Sequence, residues 1–344
     1  MSGLPDLGTC EVSRKRQMAA DCSDTVWTIV DQNTMEQVAM PKFSAIPCGR
    51  SWQAPRTCCD SLPGLRKLIG MTHAAPSIGD KQNSAPRAVG ALRVSVRDGN
   101  KLDALRQSGA SKAFFPRHSG SDLLAVTLNT AGGVTGGDRF AITAQAAAHS
   151  ALTLTTQTAE RIYKAQPGQT ARMTTDLTIA DNGRIDWLPQ ETILFNRSRL
   201  RRRLAVNMAA DATFLGVETL VFGRALMGER LDEAFLKDDV RIQRDGAMIF
   251  ADAIALEGAV ADRLAAEWLA GPAGCVSSVT FAGPAADLHL AQLRKLMPPT
   301  GGVSLIRPGI LFARLLARDS FDMRRLLIPV LTALRGTLPP TWNL

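Results

Sequence analysis

From Ala91 onward the chain reads as short apolar runs cut by turn residues. Leu92-Arg93-Val94-Ser95-Val96 alternates and stops at Asp98-Gly99, and Ala151-Leu152-Thr153-Leu154-Thr155 alternates in the same way. Alternation with period two is the pattern of a strand with one buried face. Leu177-Thr178-Ile179 ends at Asp181-Asn182-Gly183 and Arg184 to Leu188 resumes, which predicts a hairpin. A stronger one is predicted where Val240-Arg241-Ile242-Gln243-Arg244 meets Asp245-Gly246 and then Met248-Ile249-Phe250. Asp-Gly readily takes the two positive φ values of a type I′ turn. With Leu204, Val206 and Met208 also alternating, the body from 90 to about 255 is expected to be mostly β.

The tail changes period. Ala285 to Met297 and Gly309 to Leu316 have helical spacing, and Met323, Leu326, Leu327, Val330, Leu331 and Leu334 fall on one helix face. Pro329 removes a backbone donor there, so a kink or an early end is expected. Residues 1–88 mix Pro, Ser, Cys and charge without a sustained period. They read as a poorly ordered leader, untranslated if synthesis begins at Met71, ahead of a single β-rich domain over residues 89–344.

Composition narrows the function classes. A net charge of +8 suits an anionic partner, yet aromatics are 5% of the chain with one Tyr. That is a poor supply of stacking platforms for nucleic acid, so a protein with an acidic face is the better match. No apolar run approaches the ~18 residues of a membrane span, and the start of the chain lacks a continuous apolar signal segment. A cytoplasmic protein is expected, with neither nucleic acid nor membrane as partner. Of six cysteines, only Cys275 lies in the β-rich body, and no CxxC pair is present. Neither a zinc site nor a disulfide framework is supported.

The candidate chemistry centres on Asn129-Thr130-Ala131-Gly132-Gly133-Val134-Thr135-Gly136-Gly137-Asp138-Arg139. A phosphate loop needs Gly-x4-Gly-Lys-Ser/Thr, but Asp138 stands at the lysine's place and no helical pattern follows. The loop is therefore either a tight corner between strands or a device that fixes Asp138. Thr155-Thr156-Gln157-Thr158-Ala159-Glu160-Arg161-Ile162-Tyr163 is dense in hydrogen-bonding groups. Trp187-Leu188-Pro189-Gln190-Glu191-Thr192-Ile193 sets an acid among apolar residues, and Gly223-Arg224-Ala225-Leu226-Met227-Gly228-Glu229-Arg230 frames an Arg and an acid with glycines. Asp138, Glu191 and Glu229 are candidates to line one polar passage. The four histidines lack metal-ligand spacing, and neither a Gly-x-Ser-x-Gly nucleophile nor a partner for Cys275 is legible. Arg197, Arg199, Arg201, Arg202 and Arg203 form a cationic stripe, either an edge strand blunted by charge or a docking patch for an acidic partner.

In this order and at these spacings, the four blocks from Ala131 to Asp138, Thr155 to Tyr163, Trp187 to Ile193 and Gly223 to Glu229 resemble the urease accessory protein UreD (UreH) family. The resemblance spans residues 90 to about 340. It implies a β-helix-like body of many short strands, with a few helices chiefly towards the C-terminus, and a maturation factor rather than an enzyme. The implied partners are apo-urease, UreF and the GTPase UreG. The implied cargo is nickel in transit, with no tightly bound cofactor. Asp138, Glu191 and Glu229 are then acids on the metal route, a role suited to oxygen ligands that hold nickel loosely. Glu160 and Arg161 shape it, and with Gly132, Gly133, Gly136, Gly137, Thr156, Gln157 and Arg224 they make up the binding and structural motif. The chain departs from the family at Leu338-Pro339-Pro340-Thr341-Trp342, which lacks the arginine of the usual Pro-Arg-x-Trp-like ending. The rival reading is a β-helical carbohydrate-active enzyme using a carboxylate pair.

Overall fold

The computed structural model describes residues 27–29, 86–266 and 268–343. The expectations for the leader and for a start at Met71 lie, but for a few residues, outside the described residues. Among the described residues the strands form two sheets. The eight-stranded sheet runs Trp27–Ile29 (β1), Ala247–Ala259 (β15), Glu233–Arg244 (β14), Arg199–Met208 (β12), Ala171–Ile179 (β9), Arg139–Ala146 (β6), Val89–Arg97 (β2) and Lys101–Gly109 (β3). The ten-stranded sheet runs Gly301–Arg307 (β17), Ile310–Ala317 (β18), Cys275–Ala282 (β16), Thr213–Phe222 (β13), Arg184–Leu188 (β10), Ala151–Thr156 (β7), Leu123–Asn129 (β5) and Ser111–Phe114 (β4). Two short strands, Glu160–Ile162 (β8) and Thr192–Leu194 (β11), pair with each other and, through β11, with β13.

After β5 the chain crosses from sheet to sheet. Strands β6, β9, β12 and β14 stack in parallel in one sheet, and β7, β10 and β13 stack on β5 in the other. The result is a β-solenoid of about four turns, as the β-helix-like expectation requires. Antiparallel strands at both ends close it, among them the β2–β3, β14–β15 and β16–β18 pairs. The Asp245-Gly246 hairpin forms with φ of 49° and 78° at its two central residues. The hairpin expected at Asp181-Asn182-Gly183 does not: β9 and β10 lie in different sheets. That turn is a solenoid corner, with the Arg184 amide donating to Ser150 in the coil before and Gly183 accepting from Thr213 in the coil after. Turn residues supply the positive φ at Asn182, but they do not say which strand the chain will pair with next.

Two apolar clusters fill the space between the sheets. One includes Val94, Leu154, Leu177, Ile185, Val206 and Phe214, the other Phe140, Ile162, Leu200, Leu220, Leu236 and Ile254. The outer face of the ten-stranded sheet packs under helices Ala286–Leu296 (α2) and Ser320–Arg335 (α3), which follow the short helix Val260–Leu264 (α1). The segment Gly309 to Leu316, expected to be helical, is strand β18. Leu311, Ala313 and Leu315 face the helices while Ile310, Phe312 and Leu316 join the clusters between the sheets. An apolar run buried on both faces carries no periodicity that separates strand from helix. Pro329 does not end α3, which continues to Arg335. The carbonyl it leaves without a donor is that of Arg325, an exposed residue.

Candidate functional site

The glycine loop leaves β5 and returns to the sheet pair through one parallel bridge, Val134 to Ile162. The Val134 amide donates to Arg161 O at 2.8 Å and the Tyr163 amide to Val134 O at 2.7 Å. Gly133 has φ of 150°, and a Cβ there would lie 2.3 Å from the Tyr163 ring and 2.9 Å from Arg161 O. Only glycine lets the loop lie flat on the segment carrying Glu160 and Arg161. Asn129 pins the loop from its start, its Oδ1 accepting from the Ala131 amide at 2.9 Å and its Nδ2 donating to Gly133 O at 3.0 Å. Asp138 pins it from its end. This carboxylate is 3% exposed; Oδ1 accepts from the Ala88 amide and Oδ2 from the Thr135 amide, both at 2.8 Å. The loop does not so much position the acid as depend on it.

Beneath the loop a cavity of about 230 Å³ opens between the sheets. Gly132, Gly133, Thr156, Gln157, Glu160 and Arg161 line it near the loop, and Met173, Thr175, Trp187, Thr192 and Arg202 line it further in. Six of the residues singled out from sequence therefore come together. Gly136 and Gly137 lie outside the lining, against Ala165 and Arg87 respectively. Arg224 is elsewhere, over the Phe195 ring at 4.1 Å and paired with Glu229 at 2.8 Å.

The three acids expected on one route occupy three settings. Asp138 is closed off by two backbone amides. Glu191 lies 3.7 Å from the Arg324 guanidinium of α3. Glu229 sits in a second depression with Tyr163, Phe195 and Asn196, and the Arg224 hydrogen bond holds its carboxyl below the usual range. None of the three lines the cavity, and among the described residues no three His, Cys, Asp or Glu side chains stand close enough to hold a metal ion.

Glu160 is the one carboxylate among the lining residues, which leaves no carboxylate pair there for glycoside chemistry. Burial pushes its pKa up from 4.5 to about 7, against the opposing hydrogen bond from Asn129 Nδ2 at 3.3 Å. The folded chain thus keeps this proton to about pH 7 while the unfolded chain releases it near 4.5, so stability falls as pH rises through that window. At 1.36 kcal/mol per pH unit the loss is at most about 3 kcal/mol, since solvent at the cavity mouth screens part of it. Glu160→Gln is expected to abolish the loss. Urea denaturation of both proteins at pH 5 and pH 8 checks it, and equal pH dependence would refute the assignment.

At the cavity's inner end lies an ionic layer that the sequence reading did not identify. Arg202 donates to both Asp238 oxygens, at 2.9 and 2.5 Å, and to Thr192 Oγ1 at 2.9 Å, and lies 2.6 Å from Glu218 Oε2. Trp187 Nε1 donates to Glu218 Oε1 at 2.7 Å. The Arg202 and Glu218 side chains are 10% and 11% exposed. Burial opposes the charge on Arg202, but Asp238 and Glu218 more than offset it and raise its pKa. Burial raises the pKa of Glu218, with Arg202 acting in the opposite direction. A second pair, Arg314 to Asp252 at 2.5 Å, extends the layer. This corrects the edge-strand reading of the arginine stripe: β12 lies inside the sheet between β9 and β14, with Arg202 turned inward and Arg201 and Arg203 exposed.

The C-terminal Leu338 to Trp342 segment also has a place. Trp342 is buried and donates from Nε1 to Leu188 O at 3.0 Å, and Arg324 lies 5.4 Å from its ring while donating to Thr341 O at 3.2 Å.

Proteins similar to this chain share one description. A urease accessory protein UreD of a Ruegeria species is 49% identical over 272 residues, covering 75% of this chain and 91% of its own. That of Roseobacter denitrificans is 46% identical over 264 residues, covering 75% and 96%. That of Rhizobium leguminosarum bv. viciae is 40% identical over 258 residues, covering 74% and 94%. The family model described as UreD urease accessory protein matches residues 87–343, from the amide-closed start of β2 to the buried Trp342. The chain belongs to the UreD urease accessory protein family.

Proposed function

We propose that this chain is a cytoplasmic urease maturation factor without catalysis of its own, which docks with UreF and UreG on apo-urease and passes nickel through the cavity between its sheets. The observation that carries the reading is the cavity itself, in a member of this family: polar side chains line it from the glycine loop to the ionic layer, with a single carboxylate among them. Isolated oxygen donors bind a borderline cation such as nickel weakly, which suits a cargo that must leave again. Of the acids assigned to the route, Glu229 lies beside the glycine loop's neighbour Tyr163 and Glu191 beside α3, where they would act outside the cavity. Helices α2 and α3 supply part of the UreF contact through Leu288 and Phe321, 81% and 61% exposed.

The experiment is co-expression of urease with the wild-type chain, Glu160→Ala and Glu229→Ala. Lowered nickel content and activity, with urease still captured by the accessory chain, is the expected result. Full nickel loading with both variants would sink the transit reading. Failure of the purified chain to capture UreF would sink the docking reading separately.

A further inference from the structure

The registers of the eight-stranded sheet bring four cations into one row across its outer face. Arg139 pairs with Arg172, Arg172 with Arg201, and Arg201 with Lys237, and all four side chains are exposed. Neighbouring strands are about 4.8 Å apart, so the row is a ladder of like charges at that spacing. Like charges directly opposite each other across strands are destabilising. Nothing in the described residues relieves this: none of the four has a carboxylate within ion-pair distance. Of the carboxylates on the neighbouring rows, Asp176 pairs with Arg203 at 2.7 Å and Glu233 with Arg197 at 3.5 Å, while Asp239 stands opposite Arg203 and Glu257 opposite Phe235. Val89 and Ala255 continue the row at its ends, and in the next row the Phe235 ring lies 4.7 Å from Arg199 and 5.3 Å from Arg201.

We propose that this face is a docking surface for an acidic protein segment whose row of carboxylates lies across Arg139, Arg172, Arg201 and Lys237. The partner chemistry follows from spacing and from what the face lacks. A helix presents side chains three and four apart at about 5–6 Å, close to the rung spacing, so one acidic helix face meets successive rungs. Arginine takes such carboxylates two-pronged. Single-stranded nucleic acid needs successive aromatic platforms, and the ladder has Phe235 alone beside it. A lipid surface needs several large apolar groups to insert beside the cations, and the ends of the row offer one, the exposed Val89, with Ala255 at the other end. The inference stands apart from the nickel route, since no ladder residue lines the cavity.

The test titrates the full chain with a fluorescent helical peptide carrying Glu at successive i,i+4 positions, a Gln-for-Glu version, a uridine oligonucleotide and phosphatidylserine-containing vesicles. The Glu peptide is expected to bind, the Gln version not, and affinity to fall by about tenfold or more in Arg172→Glu with Lys237→Glu. A control pair on α2, Arg294→Glu with Lys295→Glu, changes net charge equally and is expected to leave binding intact. Alternating signs along the ladder should also raise the melting temperature, by about 2–4 °C. If the reversal perturbs folding instead, Arg172→Gln with Lys237→Gln must still lose the peptide. No binding of the Glu peptide, equal loss in ladder and control pairs, or tighter binding of the oligonucleotide or vesicles would each overturn the proposal.

Discussion

Arg202→Leu is expected to lower the unfolding free energy by about 3–5 kcal/mol, because it leaves buried carboxylates without their cation. Asp238 would lose both of its hydrogen bonds from Arg202 and Glu218 its 2.6 Å ion pair, while the Trp187 bond remains. Both carboxylates are largely buried, Asp238 at 6% and Glu218 at 11% side-chain exposure. Protonating them is the cheaper escape, so the deficit should shrink as pH falls towards 5. The triple variant Arg202→Leu, Glu218→Leu, Asp238→Leu is expected to recover most of the loss, since a buried ion cluster is often no more stabilising than apolar residues of like size. Urea denaturation at pH 5 and pH 7.5 measures all of this. A cost under about 1 kcal/mol for the single variant would mean that water already reaches the layer.

Asp138→Ala is expected to cost about 2–4 kcal/mol, because the Ala88 and Thr135 amides would both lose their acceptor in a site that is closed to solvent. Asp138→Asn keeps one acceptor and should cost about half as much. Thermal melts rank the three proteins, and a melt of the alanine variant within about 1 °C of wild type would contradict the assignment. The consequence for function is that lost urease activation by Asp138→Ala would report a collapsed loop as readily as a missing acid on a metal route. Glu160 is the cleaner probe, because its carboxylate lines the cavity and holds no strand start or loop end as Asp138 does, bonding only the Asn129 side chain and its neighbour Arg161.

The inner ionic layer was legible in the sequence by parity. Leu200, Arg202, Leu204, Val206 and Met208 share one phase of β12, and all but the arginine sit in the apolar clusters. Asp238 is likewise in phase with Leu236 and Ile242, and Glu218 with Phe214 and Leu220. A charged residue on the apolar phase of a strand marks either an error or a buried pair. Reading Arg197 to Arg203 as one stripe merged the two phases and hid Arg202 among exposed neighbours. The cation ladder was less accessible, because its four members come from four strands between Arg139 and Lys237 and no local pattern joins them.

By itself the sequence determined the β-rich body, the Asp245-Gly246 hairpin, the helices Ala286–Leu296 and Ser320–Arg335, and the four blocks on which the resemblance to the family was read. These are local properties, set by period, turn chemistry and residue order within about a dozen positions. The tertiary structure alone decided that β9 and β10 part into different sheets, that Gly309 to Leu316 is a strand, that Glu160 rather than Asp138 meets the cavity, and which cations stand in register. Those outcomes depend on parallel pairing between strands a full coil apart in the chain, and a strand's own residues carry no label for the neighbour it will receive.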